Sequence, residues 1–149
     1  MADTHDIRRL VEQALADEEV DLLDVALRGR PGRQLLRVLV DVEGGITLDH
    51  CARLAQKISD MLDRKDPIPG SYTLEVSSPG VDWPLRTERD FRRNLRRTLK
   101  VEFQDGEATR VLIGVLQEVG PEYIVIDCAG QLQRVALETV RLAKVQPKW

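Results

Sequence analysis

A chain of 149 residues with 42% hydrophobic and 32% charged side chains and a formal net charge of −3 reads as globular, one domain or two small ones. It holds no run of about 18 apolar residues, and it opens with Asp3 and Asp6 rather than a basic start before an apolar stretch, which excludes a spanning helix and argues against a signal peptide. Cys51 and Cys128 are too few and too far apart for a disulfide framework or a zinc site, so a cytoplasmic protein without metal or other cofactor is expected.

Thr4 can cap a first helix, whose apolar Ile7, Leu10, Val11, Ala14 and Leu15 recur at helical spacing. Asp17-Glu-Glu19 follows as a solvated cluster. Leu23, Val25 and Leu27 alternate with Asp24 and Ala26 as a strand, and Leu36, Val38, Val40 and Val42 give a second. Between them Arg28-Gly-Arg-Pro-Gly-Arg33 is dense in breakers and predicts an exposed loop with Arg28, Arg30 and Arg33 as a basic tip. Such a tip suits nucleic acid, and it equally suits solubility alone.

Glu43-Gly-Gly45 closes that region, and Thr47 or Asp49 can cap a second helix with Cys51, Leu54, Ala55, Ile58, Met61 and Leu62 on one stripe. Cys51 reads as a small core residue. Asp49-His50-Cys51 looks like a ligand cluster in a line of text, but successive helical residues point about 100° apart and cannot converge. His50 is expected to face solvent. Asp66-Pro-Ile-Pro-Gly70 ends the helix, and Tyr72, Leu74 and Val76 alternate with Thr73, Glu75 and Ser77 as a third strand. The order α-β-β-α-β predicts two helices layered on a three-stranded sheet.

The third strand stops at Ser78-Pro-Gly80. Pro79 and Gly80 suit the central positions of a type II turn, which predicts φ > 0 at Gly80. Pro84 then prevents a regular element from running through. The stretch reads as a stiff joint between a domain at 1–82 and one at 83–149.

Charge changes sign across this joint. Residues 1–80 carry ten basic and fifteen acidic side chains, a balance of −5, and residues 81–149 carry twelve and ten, a balance of +2. An anion site belongs in the second part. Thr87 can cap a short helix through Leu95, with Phe91 and Leu95 as its apolar contacts. Residues 86–100 hold seven bases, Arg86, Arg89, Arg92, Arg93, Arg96, Arg97 and Lys100, against Glu88 and Asp90. Past them Leu99, Val101 and Phe103, Val111 to Leu116, Ile124 to Ile126, Leu132 to Val135, and Val140 to Val145 read as short strands between Gly-containing turns. A small antiparallel barrel is expected.

Nothing assembles a catalytic site. Ser77-Ser78 lacks the Gly-x-Ser-x-Gly setting, only His5 and His50 could act as a histidine base, and Gly44-Gly45 is too short for a phosphate loop. The chain reads as a non-enzyme. Aromatics at 4% are sparse for base stacking, whereas arginine's planar fork suits phosphate. Recognition of RNA by shape and phosphate therefore stays open beside a protein-only adaptor whose barrel takes a peptide.

Leu74-Glu-Val-Ser-Ser-Pro-Gly80, followed by Val81-Asp-Trp-Pro-Leu85, closely resembles the signature of bacterial ribosome maturation factors of the RimP family. That signature commonly reads Leu-Glu-Val-Ser-Ser-Pro-Gly-Leu-Asp-Arg-Pro-Leu. The likeness takes in the leading helix, Leu36-Arg-Val-Leu-Val-Asp41, Gly45-Ile-Thr-Leu-Asp49, Cys51 and Asp66-Pro-Ile68, so that it covers nearly the whole chain. Trp83 stands where the family usually has Arg, and no role of that Arg carries over. The Gly usual near Asn94–Leu95 is also missing. The resemblance implies an SH3-like barrel in the second domain and transient binding to the immature 30S subunit. It implies contacts with 16S rRNA and with a small-subunit ribosomal protein near the decoding region, by a monomer with no membrane partner. It places Ser77, Ser78, Pro79, Gly80, Asp82 and Pro84 in the family signature at the joint.

Overall fold

A computed structural model describes residues 4–146, which fall into two compact units divided between Pro79 and Gly80. The first unit runs α1 (Thr4–Ala14), β1 (Asp21–Arg30), β2 (Arg33–Asp41), α2 (Leu48–Lys65) and β3 (Tyr72–Ser77). Thr4, expected to cap α1, is its first helical residue. The positions before it lie outside the described residues. The sheet has the order β1-β2-β3, with β1 antiparallel and β3 parallel to the central β2. A parallel return needs a crossover, and α2 supplies it.

Because β2 is central, its inward residues Leu36, Val38 and Val40 are fully buried, and they meet Ile7 and Val11 of α1 and Leu54 and Ile58 of α2. On β1 the register slips between Leu22 and Asp24. A bulge exchanges the faces of a strand, so Leu22, Val25 and Leu27 pack on this core in place of the expected Leu23, Val25 and Leu27. The second strand ends at Asp41, one residue before the expected Val42. Thr47 caps α2, its hydroxyl accepting from the His50 N–H at 3.1 Å. Asp66 ends the helix in a left-handed conformation, with Pro67 barring a further turn.

The expected loop at 28–33 is instead a hairpin. Its strands run to Arg30 and resume at Arg33, and only Pro31 and Gly32 form the turn. Nor is Asp17-Glu-Glu19 merely solvated. Glu18 is mostly buried and pairs with Arg53 and Lys57, each at 3.1 Å, while Lys57 also reaches Asp17 at 2.5 Å. That hydrogen bond from Lys57 is the main cause holding the Asp17 carboxyl below its ordinary range. His50 Nε2 lies 3.9 Å from Glu18 and is buried, so the side chain packs inward rather than facing solvent.

The second unit contains α3 (Glu88–Arg93), β4 (Thr98–Asp105), β5 (Ala108–Val119), β6 (Tyr123–Cys128), β7 (Gln131–Ala136), a single 3-10 turn at Leu137–Thr139, and β8 (Val140–Val145). The strands form one antiparallel sheet in the order β7-β6-β5-β4-β8. Among the described residues β7 and β8 remain its edges, so the ladders do not close into a barrel. Leu99, Val101, Leu116, Ile124, Ile126 and Ala143 are buried together with Phe91 of α3. Gly114 of β5 lies tight against β6: a Cβ there would lie 2.4 Å from the Asp127 carbonyl oxygen.

At the start of this unit the chain turns at Gly80–Trp83, with the Trp83 N–H donating to the Gly80 carbonyl at 3.0 Å. Gly80 is thus the first residue of the turn, and Val81 and Asp82 are central. The expected type II turn at Pro79-Gly80 does not form, and Gly80 is not among the residues with positive φ.

Candidate nucleic-acid interface

The basic stretch 86–100 is built around Asp90. Thr87 starts α3 with its hydroxyl accepting from the Asp90 N–H at 3.0 Å, and the Asp90 carboxylate accepts in return from the Thr87 N–H at 3.1 Å. This is a capping box, and it satisfies donors that a helix start leaves unpaired. The same carboxylate accepts from the Arg86 N–H at 2.9 Å and from the Arg93 guanidinium. Burial pushes the Asp90 carboxyl up, but the bonds from Arg86, Thr87 and Arg93 together outweigh it and leave the carboxyl below its ordinary range. Asn94, only 3% exposed, donates its side-chain amide to the Asp90 carbonyl at 2.8 Å and accepts from Arg97 Nη1 at 3.0 Å. Phe91 anchors the segment in the core.

Six of the seven predicted bases are exposed, Arg86, Arg89, Arg92, Arg96, Arg97 and Lys100. Arg93 is the exception. At 5% exposure and paired to Asp90, it is a structural cation turned inward and is unsuited to reach an external phosphate. Arg92 pairs with Glu88 at 3.0 Å along the helix surface. Arg96 has φ of 71°, the left-handed residue that ends the turn where a glycine is absent. Its N–H donates to the Leu116 carbonyl at 2.8 Å, and the Leu116 N–H donates to the Arg97 carbonyl at 3.0 Å. Two backbone bonds to β5 therefore fix the positions of Arg96 and Arg97.

Lys100 stands on β4 with Lys144 of β8 directly opposite. Like charges facing across a ladder destabilise it, and a bound anion would relieve them. Lys144 also lies 3.9 Å from Asp82. Reasoning from sequence missed Lys144, because no local pattern marks it and only the β4–β8 register brings it to Lys100. The result is a run of cations on a rigid turn and two paired strands, with the one aromatic of residues 86–100, Phe91, buried, which suits phosphates better than bases.

Residues 10–82 match the family model described as the RimP N-terminal domain. The chain belongs to the RimP family. This is a family of ribosome maturation factors, not known as enzymes, and its partners are ribosome-related. Among the described residues no helix is long and apolar enough to cross a membrane, and no group of three or more His, Cys, Asp or Glu side chains could hold a metal ion.

The RimP signature is divided between the units. Ser77 ends β3, Ser78 and Pro79 follow it, and Gly80, Asp82 and Pro84 lie in or beside the turn that opens the second unit. Leu85 is buried and donates its N–H to the Ala143 carbonyl at 2.8 Å, which ties the end of the signature to β8. In the first unit Arg28, Arg30 and Arg33 are all exposed at the hairpin end, with Arg30 and Arg33 as the last cross-strand pair.

Proposed function

We propose that this RimP-family protein is a cytoplasmic, non-enzymatic assembly factor that binds the immature 30S subunit transiently. In this reading its units are two domains joined near residues 77–84, and the second is an open barrel of the SH3-like kind, its β7 and β8 edges left unpaired with each other among the described residues. The observation that carries the proposal is the locked turn from α3 to β4, on which Arg92, Arg96, Arg97 and Lys100 stay exposed while Asp90 and Leu116 hold the backbone. Fixed arginines lose little freedom on meeting phosphate and bind it through a planar fork. Arg86, Arg89 and Lys144 extend the same patch, and the hairpin arginines Arg28, Arg30 and Arg33 offer a second contact with 16S rRNA. A ribosomal-protein contact on the sheet is supported by Val111 and Ile113, about half exposed on β5. The same two residues also favour the protein-only adaptor.

Sedimentation of the protein with purified 30S, 50S and 70S particles decides between the two. The assembly-factor reading expects migration with 30S. Replacing Arg92, Arg96, Arg97 and Lys100 by Ala is expected to weaken that binding and to flatten its salt dependence, by roughly 0.7–0.9 in the log–log slope for each phosphate no longer neutralised. No preference for 30S, or a folded variant with unchanged affinity and slope, would hand the function to the adaptor.

A further inference from the structure

We propose that Asn94 is a positioning residue for Arg97, aiming the arginine fork at a backbone phosphate. The inference rests on the 30S-binding reading above and names a residue that the charge pattern does not contain. Asn94 is neutral and almost fully buried, in a segment otherwise dominated by exposed charge. Its two polar ends are used in opposite directions. The amide nitrogen donates inward to the Asp90 carbonyl at 2.8 Å, and the amide oxygen accepts outward from Arg97 Nη1 at 3.0 Å. The first bond fixes which way the amide points, because a flipped amide would set two donors against Arg97 and two acceptors against Asp90.

Arg97 itself is exposed, so packing alone does not set its direction. Its backbone is held from both sides: its N–H donates to the Asn94 carbonyl at 3.1 Å, and its carbonyl accepts from Leu116. The remaining freedom lies in the long side chain, and Asn94 takes one arm of the guanidinium. A guanidinium carries five N–H donors in a fixed plane, so holding one arm orients the rest of the fork. A fork aimed in advance suits bidentate binding of phosphate, and less rotamer entropy is lost when the phosphate arrives. The chain from Asp90 through Asn94 to Arg97 thereby couples the helix cap to the charge it displays.

A double-mutant cycle on the full chain tests this, with 30S particles as the probe. Arg97→Ala, Asn94→Ala and the double variant are compared for 30S affinity at several salt concentrations, with folding checked by circular dichroism. Asn94→Ala alone is expected to weaken binding about threefold or more, and to add almost nothing once Arg97 is Ala. A purely structural Asn94 would cost the same affinity in both backgrounds, and that result overturns the proposal. Arg97→Lys, a surface change that keeps the charge, guards against an Asn94→Ala variant that fails to fold. It is expected to lose affinity about threefold or more while keeping the wild-type salt slope, since Lys is a point charge without a fork. Wild-type affinity in Arg97→Lys also overturns the proposal. If the wild-type protein shows no 30S preference at all, the underlying functional reading fails as well, which separates the two failures.

Discussion

Arg96 holds a left-handed backbone, φ 71°, while its N–H donates to the carbonyl of Leu116 across 2.8 Å. The turn out of α3 must reverse sharply to deliver the chain to β4, and a left-handed residue does this in one step. Glycine is the usual choice, because a side chain in that region crowds its own carbonyl oxygen. Here the hydrogen bond to Leu116 holds Arg96 in place against that crowding, and the turn gains an exposed cation where a glycine would give none.

Arg96→Gly is therefore expected to raise stability by up to about 1 kcal/mol, part of the relief being offset by the greater freedom of glycine in the unfolded chain. Arg96→Val is expected to lower it by about 1–2 kcal/mol, since a branched side chain fits the left-handed region worst. Urea midpoints at unchanged slope give the ranking directly. A glycine variant less stable than the wild type would show that the Arg96 side chain contributes packing that outweighs the strain.

Two glycines separate steric need from mere presence in a motif. Gly80 lies in the family signature, yet it lacks positive φ and nothing surrounds the site of a Cβ. Gly80→Ala is expected to change stability by no more than about 0.5 kcal/mol. Gly114 lies in no motif, but its Cβ would sit 2.4 Å from the Asp127 oxygen and 2.7 Å from the Ile126 side chain. Gly114→Ala is expected to cost about 2 kcal/mol or more by forcing β5 from β6. Thermal or urea denaturation of both variants checks the contrast, and equal effects would refute it.

Periodicity makes the helices and most strands legible, since each buries a stripe or face that repeats with the element's own geometry. The cap at Thr87 and the anchor at Phe91 are equally legible, being local. What escapes is whatever depends on a partner outside the window. The charge count treats Arg92 and Arg93 alike, yet one lies on the surface and the other turns onto Asp90. His50 reads as solvent-facing on its own helix because Glu18, which it packs against, belongs to the segment after α1. Lys144 joins Lys100 only through strand register. At Gly80 the Pro-Gly pair suggests a turn centred on itself, but the hydrogen bond from Trp83 moves the turn two residues on, to Val81 and Asp82.

The two neighbouring arginines are expected to part company on mutation. Arg92→Ala removes an exposed ion pair with Glu88, worth at most about 0.5 kcal/mol on a helix surface, and should act on binding. Arg93→Ala strips a mostly buried carboxylate of its buried partner, a loss that costs about 3–5 kcal/mol. Measuring stability and 30S binding for both variants tests the assignment. An Arg93→Ala protein as stable as the wild type would return Arg93 to the surface patch.

Acid should loosen this same corner of the molecule. Burial raises the Asp90 carboxyl, but the N–H groups of Arg86 and Thr87 and the Arg93 guanidinium favour its ionised form more, and the folded protein holds it below its ordinary value. A carboxyl whose pKa falls on folding contributes stability that is complete well above the unfolded value of about 4 and fades as pH drops through the folded value. Protonation would also leave the Arg93 charge beside a neutral acid in a buried site, adding to the loss. Asp90→Asn keeps the shape and removes the titration. The stability gap between wild type and this variant should be constant from pH 7 to about 5 and should narrow below about 4. Urea midpoints taken at intervals down to about pH 3 measure it. A gap that stays constant over that whole range, or widens, would mean that Asp90 is not held ionised by this network.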